Sequence, residues 1–167
     1  AVVAAGLVAV PLDVLLPEEE VARVLQTAEV GAVVASGKYS GGLAAAASSA
    51  PSVRVLVGLD ERPAAGRRPD APACASWAEI AAFEGGPGLP DPASIRPDAL
   101  ASVIFTSGTT GAPKGVGLSH AGIIANFDAA IHSLPITKDD VFMCVLPLHH
   151  TYPTTCSLVS PIAVGAS

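Results

Sequence analysis

Between Thr106 and Gly115 the chain reads TSGTTGAPKG, ten residues holding three glycines, four hydroxyl side chains, one proline and one lysine, with an apolar run on either side. A loop that grips a phosphate must turn backbone N–H groups inward. Side chains obstruct that approach and positive φ angles often accompany it, so glycine is the natural residue. Gly108, Gly111 and Gly115 supply that freedom, and Thr106, Ser107, Thr109 and Thr110 add hydroxyl donors. Lys114 adds a compact positive charge. Together these groups can neutralise a polyphosphate locally. Taken alone, the same stretch also reads as an ordinary solvent-exposed turn.

Other phosphate signatures do not fit. A Walker loop asks for G-x-x-x-x-G-K-[ST], whereas Lys114 follows Pro113 and precedes Gly115. GAVVASGK is a decoy, because five residues separate Gly31 from Gly37 and Tyr39 stands where a magnesium-binding hydroxyl belongs. The G-x-G-x-x-G dinucleotide fingerprint and the G-x-S-x-G nucleophile elbow are also missing.

A second chemistry-bearing stretch is LPLHHTYPTT, with His149, His150 and Tyr152. Cys144 and Cys156 nearby invite a zinc site. Adjacent residues on an extended chain point to opposite sides, however, and the spacing offers no paired ligands, so no metal ligand is assigned. Cys144 and Cys156 fall in segments read as buried, where a thiol packs as a small hydrophobe. His150 either packs at a strand end or takes part in chemistry, while His120, His132 and His149 read as structural or exposed.

The elements that position these stretches follow from periodicity. Half of the 167 residues are apolar and only 4% are aromatic, with alanine and valine abundant, which suits strands buried on both faces of a parallel sheet. LVAVPLD (residues 7–13) reads as a strand, and Gly6 before it as the close of a helix. LPEEEVARVLQTAEV reads as a helix with Pro17 in its first turn, three glutamates at its positive end and Val21, Val24, Leu25 and Ala28 on one buried face. GAVVAS and SVRVLVG read as strands around a helical LAAAASSA. The pattern is βαβαβ. Residues 58–98 hold seven of the fifteen prolines and read as a surface connection with one short helix near SWAEIAAF. ALASVIFTSG and VGLS then flank the loop as strands. Ser119 is placed to cap a helix burying Ile124, Phe127 and Ile131. DVFMCVLP reads as another buried strand, and residues 152–164 as a final helix interrupted near Pro161. The predicted segments are thus 1–57, 58–98 and 99–167, in an α/β fold of mainly parallel sheets flanked by helices.

Composition narrows the partners. A net charge of −6 argues against a nucleic-acid surface. The longest apolar run is cut by Pro11 and Asp13, short of the ~20 residues a spanning helix needs. No basic segment marks it as a signal peptide. Three cysteines without paired spacing suggest free thiols in a reducing compartment, read as the cytoplasm.

FTSGTTGAPKGVGLSH resembles the phosphate loop of the adenylate-forming (AMP-binding) superfamily, which includes acyl-CoA synthetases, aryl-CoA ligases, luciferases and peptide-synthetase adenylation domains. LPLHHTYPTT resembles that superfamily's Pro-Leu-aromatic-His stretch, and LVAVPLDVLLPEEEVARVLQTAEVGAVVAS its upstream VPLxPxxPxxELxxxLxxS region. The resemblance implies a carboxylate-activating ligase that uses ATP, Mg2+ and coenzyme A. It places the nucleotide phosphates on Thr106, Ser107, Gly108, Thr109, Thr110, Gly111 and Lys114, and gives Lys114 and His150 catalytic roles. His150 and Tyr152 would face the acyl substrate, and the double histidine leans toward a fatty acid. An amino-acid or aryl adenylation domain, and a non-catalytic nucleotide-binding module, remain open alternatives. The superfamily's later Tyr-Gly-x-Thr-Glu segment, ribose aspartate and second catalytic lysine have no counterpart in this sequence. The expectation is therefore an internal fragment of the large N-terminal domain, inactive alone and prone to self-association. Gly117 departs from a bulky apolar residue usual in relatives, which predicts looser sheet packing beside the loop.

Overall fold

A computed structural model describes residues 2–64, 71–86, 88–106, 113–134 and 136–166, with the side chain of Ser40 outside the description. The chain forms two compact units, Val14–Gly88 and Ala1–Asp13 with Leu89–Ser167.

In the unit Val14–Gly88, helix α1 (Glu18–Thr27) starts at Pro17, which stands at the N-cap, and its three first-turn glutamates face the positive end of the helix dipole. Its buried stripe is Val21, Val24 and Leu25, as the spacing predicts. This stripe packs on α2 (Gly37–Ser48), which in turn covers β1 (Ala32–Ala35) and β2 (Val55–Gly58). Burying each such side chain contributes about 1.5–3 kcal/mol. Strands β1 and β2 are parallel, with Ala32 opposite Val55 and Ala35 opposite Gly58. β2 is buried on both faces at Leu56 and Val57, whereas β1 buries Val33 and leaves Val34 half in solvent.

The third strand of this sheet is not the one predicted. β3 (Ala73–Ser76) pairs parallel to β2, so part of the supposed surface connection belongs to the sheet. It leads into α3 (Trp77–Ala81), the short helix expected there, where Ser76 and Glu79 form a reciprocal capping box.

Residues 7–13 instead serve the other unit. Only Ala9 makes a bridge, parallel to Ser102 of β4 (Leu100–Thr106), with Ala9 N–H donating to Ala101 O and Val103 N–H donating to Ala9 O, both at 2.9 Å. Pro11, two residues on, has no N–H with which to extend the ladder. Ahead of it, Gly6 closes a 3-10 turn (Val3–Ala5) in the left-handed conformation, with φ 70°. The other edge of β4 pairs antiparallel with β5 (Lys114–Ser119), so this sheet departs from the parallel expectation.

Helix α4 (His120–Ser133) follows directly, and its N-cap is Ser119, whose hydroxyl accepts the Gly122 N–H at 3.1 Å. The predicted buried face is only partly present. Phe127 and Ile131 are half-buried, but Ile124 is 63% exposed. The last helix runs from α5 (Thr151–Pro153) through a π segment (Thr154–Val159) into α6 (Ser160–Val164), and it packs against α4. Pro161 explains the π turn: it cannot donate to the carbonyl four residues back, and its ring crowds that carbonyl. Inside that turn the Ser160 hydroxyl donates to Thr155 O at 2.9 Å.

DVFMCVLP is not a strand. Residues 141–145 have no regular structure, and Val141, Met143 and Val145 are 82%, 81% and 73% exposed. An apolar run becomes a strand only when a neighbour takes its backbone groups, and no described segment does so. Cys144 is consequently exposed, while Cys74 and Cys156 are half-buried, correcting the buried reading.

Candidate anion-binding hairpin and histidine segment

Strands β4 and β5 form a hairpin, and the glycine- and threonine-rich segment is the connection between them. Thr106 and Lys114 are register partners there, preceded by Phe105 opposite Gly115 and Ile104 opposite Val116. β4 is rooted in the core through Ala101 and Ile104, 0% and 2% exposed, while Thr106 and Lys114 are exposed. Thr106 and Lys114 thus face each other across the end of a firmly seated strand pair. Ser107, Gly108, Thr109, Thr110 and Gly111 lie outside the described residues.

Lys114 has no ion-pair partner among the described residues. At the far end of β4, by contrast, Arg96 binds both oxygens of Asp98 at 3.0 and 2.6 Å. That pairing raises the Arg96 pKa and lowers the Asp98 pKa, each chiefly through its hydrogen bond to the other. Both groups are well exposed, so the pair is a local tie of small energetic weight.

Two glycines set how closely the strands approach. A Cβ on Gly115 would lie 2.9 Å from Val103 Cγ1 and 3.2 Å from Phe105 Cζ, and one on Gly117 would lie 2.8 Å from Leu100 Cδ2. The space beside Gly117 is filled by Leu100, so the packing there is not loose.

The histidine segment enters from the same unit. His150 is the N-cap of α5, its N–H donating to Pro147 O at 3.2 Å and its carbonyl accepting the Thr154 N–H at 3.2 Å. The Thr154 hydroxyl lies 2.6 Å from Leu148 O and 2.9 Å from His150 O, locking the turn further. His150 and Tyr152 are both exposed. His149 is the inner member of the pair, with Nε2 3.6 Å from Asp13 Oδ2. Sequence reasoning missed Asp13. Its one signal is an acidic residue ending an apolar run, which says nothing of a partner so distant in the chain.

Thr106 and Lys114 are therefore register partners, and His150 and Tyr152 lie two residues apart at the turn that opens α5. The two pairs sit on separate elements of one unit, joined through α4, which packs on both β5 and the last helix. Open clefts of the Val14–Gly88 unit, such as the one lined by Gln26, Glu29, Gly31, Pro51, Ser52 and Arg54, hold none of these residues.

Comparison with known proteins gives this arrangement a context. The peroxisomal long chain acyl-CoA synthetase 6 of Arabidopsis thaliana is 33% identical over 169 aligned residues, covering 95% of this chain and 23% of that protein. The mitochondrial malonate–CoA ligase ACSF3 of Homo sapiens is 48% identical over 67 residues, 40% of this chain and 12% of that protein. Among solved structures, ATP-bound MatB from Rhodopseudomonas palustris superposes with a TM-score of 0.72 at 28% identity, covering 98% of this chain and 30% of that one. The chain thus spans between about a tenth and a third of the length of these proteins. The AMP-binding enzyme family model matches residues 1–167, and the chain belongs to that family.

Proposed function

We propose that the chain supplies the phosphate-holding part of an acid–thiol ligase. Such an enzyme activates a carboxylic acid with ATP and passes the acyl group to coenzyme A. The observation that carries this reading is the side-by-side placement of Thr106 and Lys114 at the mouth of the β4–β5 hairpin. In the first step a carboxylate oxygen bonds to the α-phosphorus, and the bond to the β-phosphate bridging oxygen breaks, releasing pyrophosphate. In the second, the thiol of coenzyme A attacks the acyl carbon and AMP leaves. Positioning and charge compensation carry most of such phosphorus chemistry. The loop residues Thr106, Ser107, Gly108, Thr109, Thr110 and Gly111 would hold the β- and γ-phosphates with Lys114, and the ammonium would stabilise the departing pyrophosphate. His150 would orient the attacking carboxylate and soften its repulsion by the phosphate, with Tyr152 beside the acyl chain. Among the described residues no three His, Cys, Asp or Glu side chains gather to hold a metal. Mg2+ bound with the nucleotide would take up part of the charge on its phosphates.

A fatty acid is the substrate we favour, because the long-chain synthetase aligns along nearly the whole chain whereas the malonate ligase aligns locally. An aromatic acid is the second reading, supported by 4-coumarate–CoA ligase 1 of Solanum tuberosum, 41% identical over 83 residues. The three free cysteines support a reducing compartment such as the cytoplasm.

Calorimetry on the chain tests the phosphate assignment. At ~4 Å an ammonium and a phosphate charge interact by about 1 kcal/mol in water and about 4 kcal/mol near a protein surface. Lys114 is exposed and lies toward the lower limit. Lys114→Ala should therefore weaken ATP and pyrophosphate about 5- to 30-fold and AMP far less. The loss should shrink as salt rises. Equal losses for AMP and ATP would defeat the assignment.

We also propose that two copies of this chain associate through residues 141–148. This run is uncharged, exposes Val141, Met143 and Val145, and is flanked by Asp139 and Asp140 at one end and His149 and His150 at the other. Antiparallel pairing sets acid against imidazole at both ends. Light scattering should show a dimer that Met143→Lys dissociates; a strict monomer at high concentration would refute it.

A further inference from the structure

The proposed chemistry uses His150 but gives no reason for His149 to be the more sheltered of the two rings. The His149 side chain is 17% exposed and approaches Asp13 to 3.6 Å, the carboxylate itself being 31% exposed. The two imidazoles are in contact, with centroids 4.3 Å apart and planes inclined by 53°. Asp13 in turn is carried on the segment whose Ala9 is bonded to β4 by both its N–H and its carbonyl, and the Ser102 hydroxyl donates to the same carbonyl at 2.9 Å. β4 is the strand that ends at Thr106.

The His150 backbone has little freedom of its own. Its N–H is tied to Pro147 and its carbonyl to Thr154, so only the side-chain torsions remain open to the imidazole. On one side those torsions meet the His149 ring. We infer that Asp13 is a positioning residue for His150. Its carboxylate fixes the His149 ring, and the fixed ring narrows the rotamers that His150 can take before substrate arrives. The path Ser102, Ala9, Asp13, His149, His150 refers the carboxylate-orienting imidazole to the same strand that presents the phosphate loop. The inference rests on the role proposed for His150, but the coupling of the two rings can be read without nucleotide.

The chain has four histidines, so its ring resonances can be resolved individually by NMR. Asp13→Asn keeps the side chain's shape and removes its charge. It should move the ring signals of both His149 and His150 by more than a linewidth and leave those of His120 and His132 in place. Asp13→Glu should restore part of the shift. If His149 alone moves, or neither does, the proposal is overturned. Should Asp13→Asn not fold, His149→Gln takes its place, and unmoved His150 signals would overturn it equally. Because this arm contains no ATP, a chain that fails to bind nucleotide would defeat the functional reading without altering the result. In an enzyme carrying the chain, Asp13→Asn should lower kcat for adenylation about 10- to 100-fold while the KM for ATP changes little, as expected of a misplaced group. A raised KM with unchanged kcat would contradict the positioning role.

Discussion

Replacing Gly115 and Gly117 by alanine, one at a time, separates two ways of crowding the same hairpin. Both glycines stand in β5, and both would place a new Cβ inside 3.0 Å of a side-chain carbon, 2.9 Å at Gly115 and 2.8 Å at Gly117. Distance alone ranks Gly117→Ala as the worse change. The neighbours reverse that order. At Gly115 the obstructing atom is Val103 Cγ1, on a β-branched side chain stiff at χ1, and Phe105 closes the other side at 3.2 and 3.4 Å. At Gly117 it is Leu100 Cδ2, the free end of a side chain 48% exposed, which can swing into solvent. Removing a strand glycine returns about 0.5–1 kcal/mol of backbone entropy. Overpacking against a stiff neighbour costs about 1–3 kcal/mol, whereas moving an exposed leucine off its rotamer costs about 0.5–1.5 kcal/mol. The net is a loss of about 1–2 kcal/mol for Gly115→Ala and close to nothing for Gly117→Ala. In a unit of this size that lowers the Tm by about 4–15 °C for the first and within about 4 °C for the second. Thermal unfolding followed by near-ultraviolet circular dichroism measures both. A Gly117 variant as damaged as the Gly115 variant would refute the claim that neighbour stiffness, and not closeness, decides the outcome.

Leu25→Ala, at a fully buried site of α1, should cost about 2–5 kcal/mol in urea unfolding, while Ile124→Ser on the outer side of α4 should stay within about 0.5 kcal/mol. Comparable losses would mean that α4 is buried after all. The Glu79 carboxylate is held below the usual glutamate range, first by the Ser76 N–H, then by the Ser76 hydroxyl, with a further contribution from the Arg62 charge. A carboxylate with a lowered folded value stabilises the fold above its unfolded value and loses that contribution as pH falls through the folded one. Amide exchange in α3 should therefore accelerate on acidification below the ordinary glutamate range, and Glu79→Gln should abolish the dependence; an unchanged acid response in that variant would exclude the capping box as its source.

What the sequence disclosed followed from how local each signal is. The stripe Val21, Val24, Leu25 and the cap at Ser119 depend on neighbours within a turn and stand where periodicity and capping chemistry put them, while Pro17 lies one position earlier than its expected place in the first turn, at the N-cap. β3 was not legible because ACAS has no apolar run of its own; pairing with β2 makes it a strand, a tertiary effect that overrides weak propensity. The opposite failure occurs at DVFMCVLP, where strong strand composition finds no described partner. α4 misled for a third reason. AGIIANFDAAI carries small apolar residues nearly all round the helix, so its sequence does not choose which face turns inward, and Ile124 faces out. Of the site, residue types and their order were readable, but the Thr106–Lys114 pairing and the approach of Asp13 to His149 exist only once β4 has gathered its two neighbours.

β4 is tied to both segments to which the proposed chemistry is assigned. Along one edge, Ala101 and Val103 hold Ala9 and so carry the segment that ends in Asp13. Along the other, pairing with β5 brings Lys114 opposite Thr106. Loops tolerate change, and a loop rich in glycine gains precision only from the elements that bound it. Here those bounds are set by a strand with Ala101 and Ile104 sealed in the core, where a shift of even one methylene is felt. A register slip of one residue would turn Thr106 to the opposite face and part it from Lys114. The Ser102 hydroxyl bond to Ala9 and the backbone bonds of Ala101 and Val103 to Ala9 oppose such a slip on one side, and the close approach allowed by Gly115 opposes it on the other. The phosphate binding proposed for the loop and the orientation proposed for His150 would therefore not be independent properties of two motifs, because both would inherit their geometry from the register of the same strand.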